Sequence, residues 1–291
     1  MGRDLSWKRV WLCARMDYHQ WLYNPRMILI AVLFVYMYST VMVPMFQYAE
    51  DIPVAVGWFE PFIAVCNNSL LTLLFPLLFL VLMADFPRIE ADTMFRVFRS
   101  GKRSWLLGQV VMLVMTAFTV IGVSFLLCAA LSLMLGAHPD LAWSEAIRTM
   151  ASNHVIQIED LTSLLPSNLY YQVTLIEAVI LCWGLLMANC VALGMVMLAV
   201  SLWNIKRAGM VLCSGAVAIG SVLLQVDSTG QWIFPTAHFA LRQHFTAYFS
   251  TPNMPPAVSF AYFGGLMLVA LLAAGWKVDS FHFIIGLEAG L

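Results

Sequence analysis

Long apolar runs alternate with short polar segments along this chain, and the runs have the length of membrane crossings. A helix needs about 20 apolar residues to cross the hydrocarbon core. Six stretches supply them, at 27–46, 62–84, 105–135, 169–203, 208–226 and 257–276. Asn67 and Asn68 interrupt the outer end of the second, and Pro76 its middle. The third and fourth exceed a straight crossing, which predicts tilt or projection beyond the bilayer. Trp21, Tyr23, Tyr48, Trp105, Tyr170, Tyr171, Trp203 and Trp276 stand near the ends of the runs, where interfacial aromatics belong. The run at Met27 continues into a full span with no small-residue cleavage site after it, which predicts a crossing and not a cleavable signal.

Two shorter segments carry a helical period without the length to cross. In 6–23, Trp7, Val10, Trp11, Ala14, Tyr18 and Trp21 share one face, while Lys8, Arg9, Arg15 and His19 take others. That pattern predicts an amphipathic helix lying in the membrane interface. In 88–99, Ala91, Met94, Phe95 and Phe98 form an apolar stripe opposite Arg88, Asp92, Arg96 and Arg99. Pro87 suits a first turn and Gly101 a helix end. This second helix either lies in the interface as well or presents its apolar stripe to a protein partner.

Composition and charge set the class. The chain is 62% hydrophobic and 11% charged, against about 25% charged in soluble domains. The expected fold is an all-α membrane protein with six transmembrane helices. It divides into an N-terminal amphipathic helix at 1–26, a transmembrane domain at 27–276 and a tail at 277–291. Thirteen of the fifteen Lys and Arg residues fall in 1–26, 86–104, 204–207 and the tail. Arg148 and Arg242 are the two elsewhere. The positive-inside bias then predicts a multi-pass protein of the cell membrane with both termini cytoplasmic. The opposite side is different in character. Segment 138–167 is polar, with Asp140, Glu145, Arg148, Glu159 and Asp160. Segment 227–256 holds Trp232, Phe234, Phe239, Phe245, Tyr248 and Phe249 among Pro235, His238, Arg242 and His244. So many aromatics in a loop predict a stretch that re-enters the membrane, tolerated only where protein buries the backbone or water lines it.

Candidate chemistry is sparse. A formal net charge of -1 gives no footprint for nucleic acid. The six cysteines lie mostly inside apolar runs, as small buried hydrophobes do, and only Cys66 approaches the outer side. Ser100-Gly101-Lys102-Arg103-Ser104 fails as a phosphate loop, because Lys102 is followed by Arg103 and Arg96 stands where the upstream Gly belongs. No HExxH or GxSxG occurs, and no cofactor or metal is expected in this chain. His238 and His244 are six apart, which does not place them on one helix face, and they read as solvated or interfacial. Polar groups inside apolar runs carry more information, because they are costly there. Glu177, after Tyr170 and Tyr171, reads as the one acid well inside a run. It reaches the outer interface, or bonds a neighbouring helix, or lines a pathway. Asn189 reads first as a helix-bonding group and is the second pathway candidate; Gln109 and Asn67–Asn68 read as helix-bonding groups, and Gly215, Gly220 and Gly264-Gly265 as points of close helix approach.

The order of parts is a basic amphipathic helix, two spans, a short basic helix, and four more spans with an aromatic outer segment before the last. It resembles the membrane (permease) subunit of ABC-2-type ABC transporters, the type V exporter architecture. The stretch from Asp85-Phe86-Pro87 through Arg99-Ser100-Gly101-Lys102-Arg103-Ser104-Trp105 looks like the coupling helix leading into span three. Phe234-Pro235-Thr236-Ala237-His238-Phe239 looks like the outer re-entrant segment. The resemblance implies a pair of permeases, identical or homologous, working by alternating access. It also implies a separate cytoplasmic ABC ATPase holding ATP and Mg, docked at Arg88, Ala91, Met94, Phe95, Phe98 and Arg99. The expected cargo is a hydrophobic or amphipathic peptide, lipid or drug. Two other classes stay open: a secondary transporter or channel, and a non-transporting scaffold or immunity protein. Carriers of the first kind usually need several ionisable groups in their spans, and no inverted repeat is visible.

Overall fold

The computed structural model describes residues 6–51, 54–88, 91–152, 165, 167–203, 206–226, 228–245 and 253–281. Among them all regular structure is helical, apart from one isolated bridge between Gly57 and His138. The helices are α1 (Trp7–Leu22), α2 (Ile28–Met37), α3 (Val43–Asp51), α4 (Glu60–Asn67), α5 (Ser69–Leu82), α6 (Ala91–Ser100) and α7 (Lys102–Met134). They continue with α8 (Glu145–Ser152), α9 (Ser167–Gln172), α10 (Leu175–Ser201), α11 (Lys206–Gln225), α12 (Pro235–Phe239) and α13 (Pro256–Val278).

Five helical stretches are long and apolar enough to cross a membrane: Pro25–Glu50, Lys102–Met134, Leu175–Ser201, Ala208–Gln225 and Pro256–Val278. The first joins α2 to α3 through a wide π-turn at Tyr38–Met42. Pro44 explains that turn: its ring would clash with the carbonyl of Thr40 in a regular helix, and an extra residue in the turn relieves the contact. α10 is the most deeply packed of the five and touches α4, α5, α7, α11 and α13. Around it the outer helices turn large apolar side chains outward: Val32 and Val35 on α2, Val211 and Val222 on α11, Leu268 and Leu272 on α13. Such faces need an apolar surround, which a bilayer supplies.

Two expectations about span shape are corrected. The 62–84 run is not a straight crossing. It breaks at Asn68, and α4 and α5 meet at 84°. Asn68 is extended, and its Oδ1 accepts from the backbone N–H of Leu70 and Leu71, so it ends one helix and caps the next. The 169–203 run is not one helix either. It ends α9 at Gln172 and restarts at Leu175 behind the N-cap Thr174.

Contacts between remote segments sort the chain into two ends. At one end Arg26 pairs with Asp85 at 2.8 Å and Arg103 with Asp279 at 3.0 Å, while Lys102 Nζ donates to the carbonyls of Asp279 and Phe281, both at 2.8 Å. Lys277 Nζ lies 5.5 Å from the centre of the Trp203 ring. At the other end His138 N donates to Val56 O, Trp143 Nε1 to Val173 O and Arg242 N to the Asn67 side chain. The α4–α5 pair therefore starts at the second end and finishes at the first, and the helices apolar enough to cross number five, or six if this bent pair is one span, among the described residues. Both described termini lie at the end that gathers the basic segments.

α1 also departs from expectation. Its Val10, Cys13, Ala14 and Trp21 are buried, chiefly against the start of α7. Gly108 of α7 makes this possible, since an added Cβ would lie 2.8 Å from Cys13 Cβ and 3.1 Å from Val10 O. The apolar face is thus divided. One edge packs on α7, and the other leaves Trp7 and Trp11 exposed.

Candidate functional site

The basic end is organised around Asp17. Its Oδ1 accepts from Arg96 Nη1 at 2.6 Å, and its Oδ2 from Gln109 Nε2 at 2.6 Å. One carboxylate thus joins α1, α6 and the first turns of α7. Arg96 and Asp17 are mostly buried, so this pair is screened far less than a surface one. Arg96 faces the protein body, and Thr93, Val97 and Ser100 are buried beside it. Gly101, at φ 90°, turns the chain from α6 into α7, a conformation that glycine adopts without strain.

With that face used, the stripe read from the sequence points outward. Phe95 and Phe98 are 70% and 67% exposed, Met94 is half-buried, and Arg88 and Arg99 are exposed. Ala91 begins α6, and its side chain lies outside the described residues. Arg88, placed in this helix by the spacing, is not helical, and the described helix runs from Ala91. Beneath α1, a cleft at this end is lined by Asp17, Gln20, Asn24, Asp85, Arg88 and Gln109 with Trp21 and Phe86.

The opposite end holds the aromatic segment. It runs through a 3-10 turn at Thr229–Ile233, α12, and a second 3-10 turn at Leu241–His244. The segment descends beside α11, where Thr236 Oγ1 donates to Val217 O at 3.3 Å. Val217 lies eight residues before the end of α11, a depth of about 12 Å at 1.5 Å per residue. Gly220 leaves the room: a Cβ there would meet Thr236 Oγ1 at 2.7 Å and Phe234 Cβ at 2.8 Å. Pro235, His238 and Phe239 are buried, and Trp232 and Phe234 half-buried. Tyr248 and Phe249 lie outside the described residues.

The histidines are buried, which corrects the solvated reading of them. His238 is 3% exposed and His244 fully buried, and Ser259 at the start of α13 brings them together. His238 Nε2 lies 2.8 Å from Trp232 O, and a carbonyl can only accept, so that nitrogen carries the proton. His238 Nδ1 is then free to accept the Ser259 hydroxyl at 2.8 Å. His244 Nδ1 is 2.7 Å from Met254 O, and its Nε2 is 3.1 Å from His238 O. A serine beside a histidine of fixed tautomer is the pairing used for nucleophiles. Ser259 is fully buried, however, so here the cluster pins the aromatic segment to α13.

Of two residues that the sequence singled out, Glu177 stands elsewhere than expected, and Asn189 stands where expected but without the bonding partner. Glu177 is not well inside a span. It is the third residue of α10, and it closes a capping box with Thr174, each side chain bonding the other's backbone N–H. Asn189 is fully buried midway along α10, and neither its Oδ1 nor its Nδ2 has a hydrogen-bond partner among the described residues. Gly215, Gly264 and Gly265 have no atom within 4 Å of an added Cβ, so only Gly220 of that set meets a close neighbour.

Sequence reasoning passed over Glu60. It is fully buried at the start of α4, and its carboxylate accepts from Gly57 N and Ser144 N, both at 2.7 Å, and from Ser144 Oγ at 2.8 Å. It ties the loop before α4 to the loop after α7. Among the described residues no group of three or more His, Cys, Asp and Glu is placed to hold a metal ion.

The fold thus defines an all-helical protein with the apolar helices of a multi-pass membrane protein. No family model, curated protein or solved structure matches the chain.

Proposed function

We propose that the chain is the membrane permease subunit of an ATP-driven exporter, with a separate cytoplasmic ATPase as its engine and a hydrophobic or amphipathic molecule as its cargo. One observation carries this reading. A helix at the basic end is fixed to the bundle on one face through Arg96, Asp17 and Val97, and leaves most of the Phe95 and Phe98 side-chain surface exposed on the other. A helix anchored behind and apolar in front suits entry into a partner's groove. Its register with Gln109 through Asp17 gives a direct mechanical path from the docked helix to α7.

In this reading the basic end is cytoplasmic, as the excess of Lys and Arg requires. Phe95 and Phe98 are the anchors, and Arg88 and Arg99 the rim. The exposed Trp7 and Trp11 edge of α1 sits at the headgroups. The segment around α12 plugs the outer end, and a second permease copy or a homologue covers one outward apolar face. ATP and Mg bind in the partner. Glu177 is assigned to helix capping and not to the pathway.

The test is to replace Phe95 and Phe98 with Asp. The ATPase should be lost on purification while the chain stays in the membrane and elutes as wild type. Retention of the ATPase at the wild-type ratio would refute the assignment.

A further inference from the structure

The side of α1 turned away from α7 is built as carefully as the side that packs. Burial of Val10, Cys13 and Ala14 against α7 fixes the roll of the helix and turns the opposite side outward. Three rows run along that side. Trp7 and Trp11 form one, 72% and 52% exposed, and the exposed Leu12 and Met16 form another. Between them Lys8, Arg15 and His19 are exposed, spaced seven and four apart along one strip of the helix surface.

Charge on this strip is uncompensated. Arg26, Arg96 and Arg103 at the same end each hold an aspartate. Lys8 and Arg15 have no carboxylate within pairing distance among the described residues. α1 also stands at the membrane boundary by its connection, since it ends at Leu22 and the first crossing begins at Pro25. Apolar side chains flanking cations on both sides suit the bilayer interface. There indoles lie at headgroup level, Leu and Met reach the acyl boundary, and basic side chains lay their stems on apolar surface with the charge at the phosphates. A zwitterionic lipid brings its own cation with its phosphate, so a lipid of net negative charge is the one that neutralises this strip.

We propose that the outward face of α1 selects anionic phospholipid from the leaflet it touches. Lys8 and Arg15 take the phosphates, and Trp7, Trp11, Leu12 and Met16 insert beside them. The proposal rests on the placement of the Trp7 and Trp11 edge at the headgroups, and not on an ATPase. Each basic residue at an anionic surface favours association by a factor of about five.

The test uses the full chain in nanodiscs of phosphatidylcholine and phosphatidylglycerol in fixed proportion, with bromine on the acyl chains of one lipid or of the other. The readout is quenching of Trp7 and Trp11, taken as the difference between wild type and the W7F, W11F double variant. Per molecule of brominated lipid, phosphatidylglycerol should quench at least about twofold more than phosphatidylcholine, and high salt should reduce the difference. K8Q, R15Q should bring the two lipids level, and K8R, R15K, which keeps both charges, should restore the preference. Equal quenching by both lipids in the wild type, or a preference undiminished in K8Q, R15Q, would overturn the selectivity while leaving the edge in the membrane. No quenching by either lipid would overturn it together with the placement of the edge.

Discussion

Two glycines on one helix give opposite expectations for the same substitution. Gly215 and Gly220 both lie in α11. A Cβ on Gly215 meets nothing within 4 Å, whereas one on Gly220 meets Thr236 Oγ1 at 2.7 Å, Phe234 Cβ at 2.8 Å and Thr236 Cβ at 3.1 Å. Gly215→Ala should therefore stabilise by about 0.5–1 kcal/mol, the helix preference of alanine over glycine. Gly220→Ala gains the same amount but must push the re-entrant segment away. That segment cannot slide freely, because His238 holds it to Ser259 and Arg242 holds it to Asn67. Overpacking of this kind costs about 1–3 kcal/mol, so the two variants should differ by roughly that amount, with Gly220→Ala the weaker. At about 2–4 °C per kcal/mol for a chain of this order of size, thermal unfolding of the purified protein resolves the gap. Equal midpoints for the two variants would mean that the segment around α12 is not seated against α11.

Asp17→Asn should loosen α6, because it removes the charge that strengthens the mostly buried bonds to Arg96 and Gln109, at about 1–3 kcal/mol; faster proteolysis near Arg99 is the readout, and unchanged cleavage would contradict it. Glu60→Ala should destabilise the outer end by about 2–5 kcal/mol, since the N–H groups of Gly57 and Ser144 lose their acceptor, and a midpoint equal to wild type would rule out the clamp. In a background without native cysteines, Arg99→Cys should resist an impermeant thiol reagent in intact cells while Leu141→Cys reacts; the reverse pattern would invert the proposed orientation.

The spans were legible because a run of apolar residues long enough to cross has few alternatives. What interrupts a run was harder to see. Asn67 and Asn68 read as an interruption of the run's outer end and as helix-bonding groups, although Asn before a new apolar run is also an N-cap signal. Thr174-x-x-Glu177 is likewise a capping box written in the sequence, and reading Glu177 as a carboxylate inside the bilayer overlooked it. Pro76 read as an interruption of the same run, yet α5 continues through it. The outward stripe of α6 was readable from its period. The inward anchor was not, because Asp17, Arg96 and Gln109 come from three separate segments. The same holds for His238, His244 and Ser259, and for Arg242 with Asn67, whose partners are 175 positions apart. Local spacing reports faces and caps, and tertiary polar clusters leave no such trace.

The central claim is that Phe95 and Phe98 form the seat of an ATPase. The most direct measurement is ATP hydrolysis carried by the chain when it is purified from its own cells in mild detergent. The account predicts hydrolysis that co-elutes with the wild-type chain and is absent from the Phe95→Asp, Phe98→Asp double variant, with equal amounts of folded chain in both. Hydrolysis that follows the double variant undiminished, or none with the wild type under conditions that preserve its fold, would contradict it.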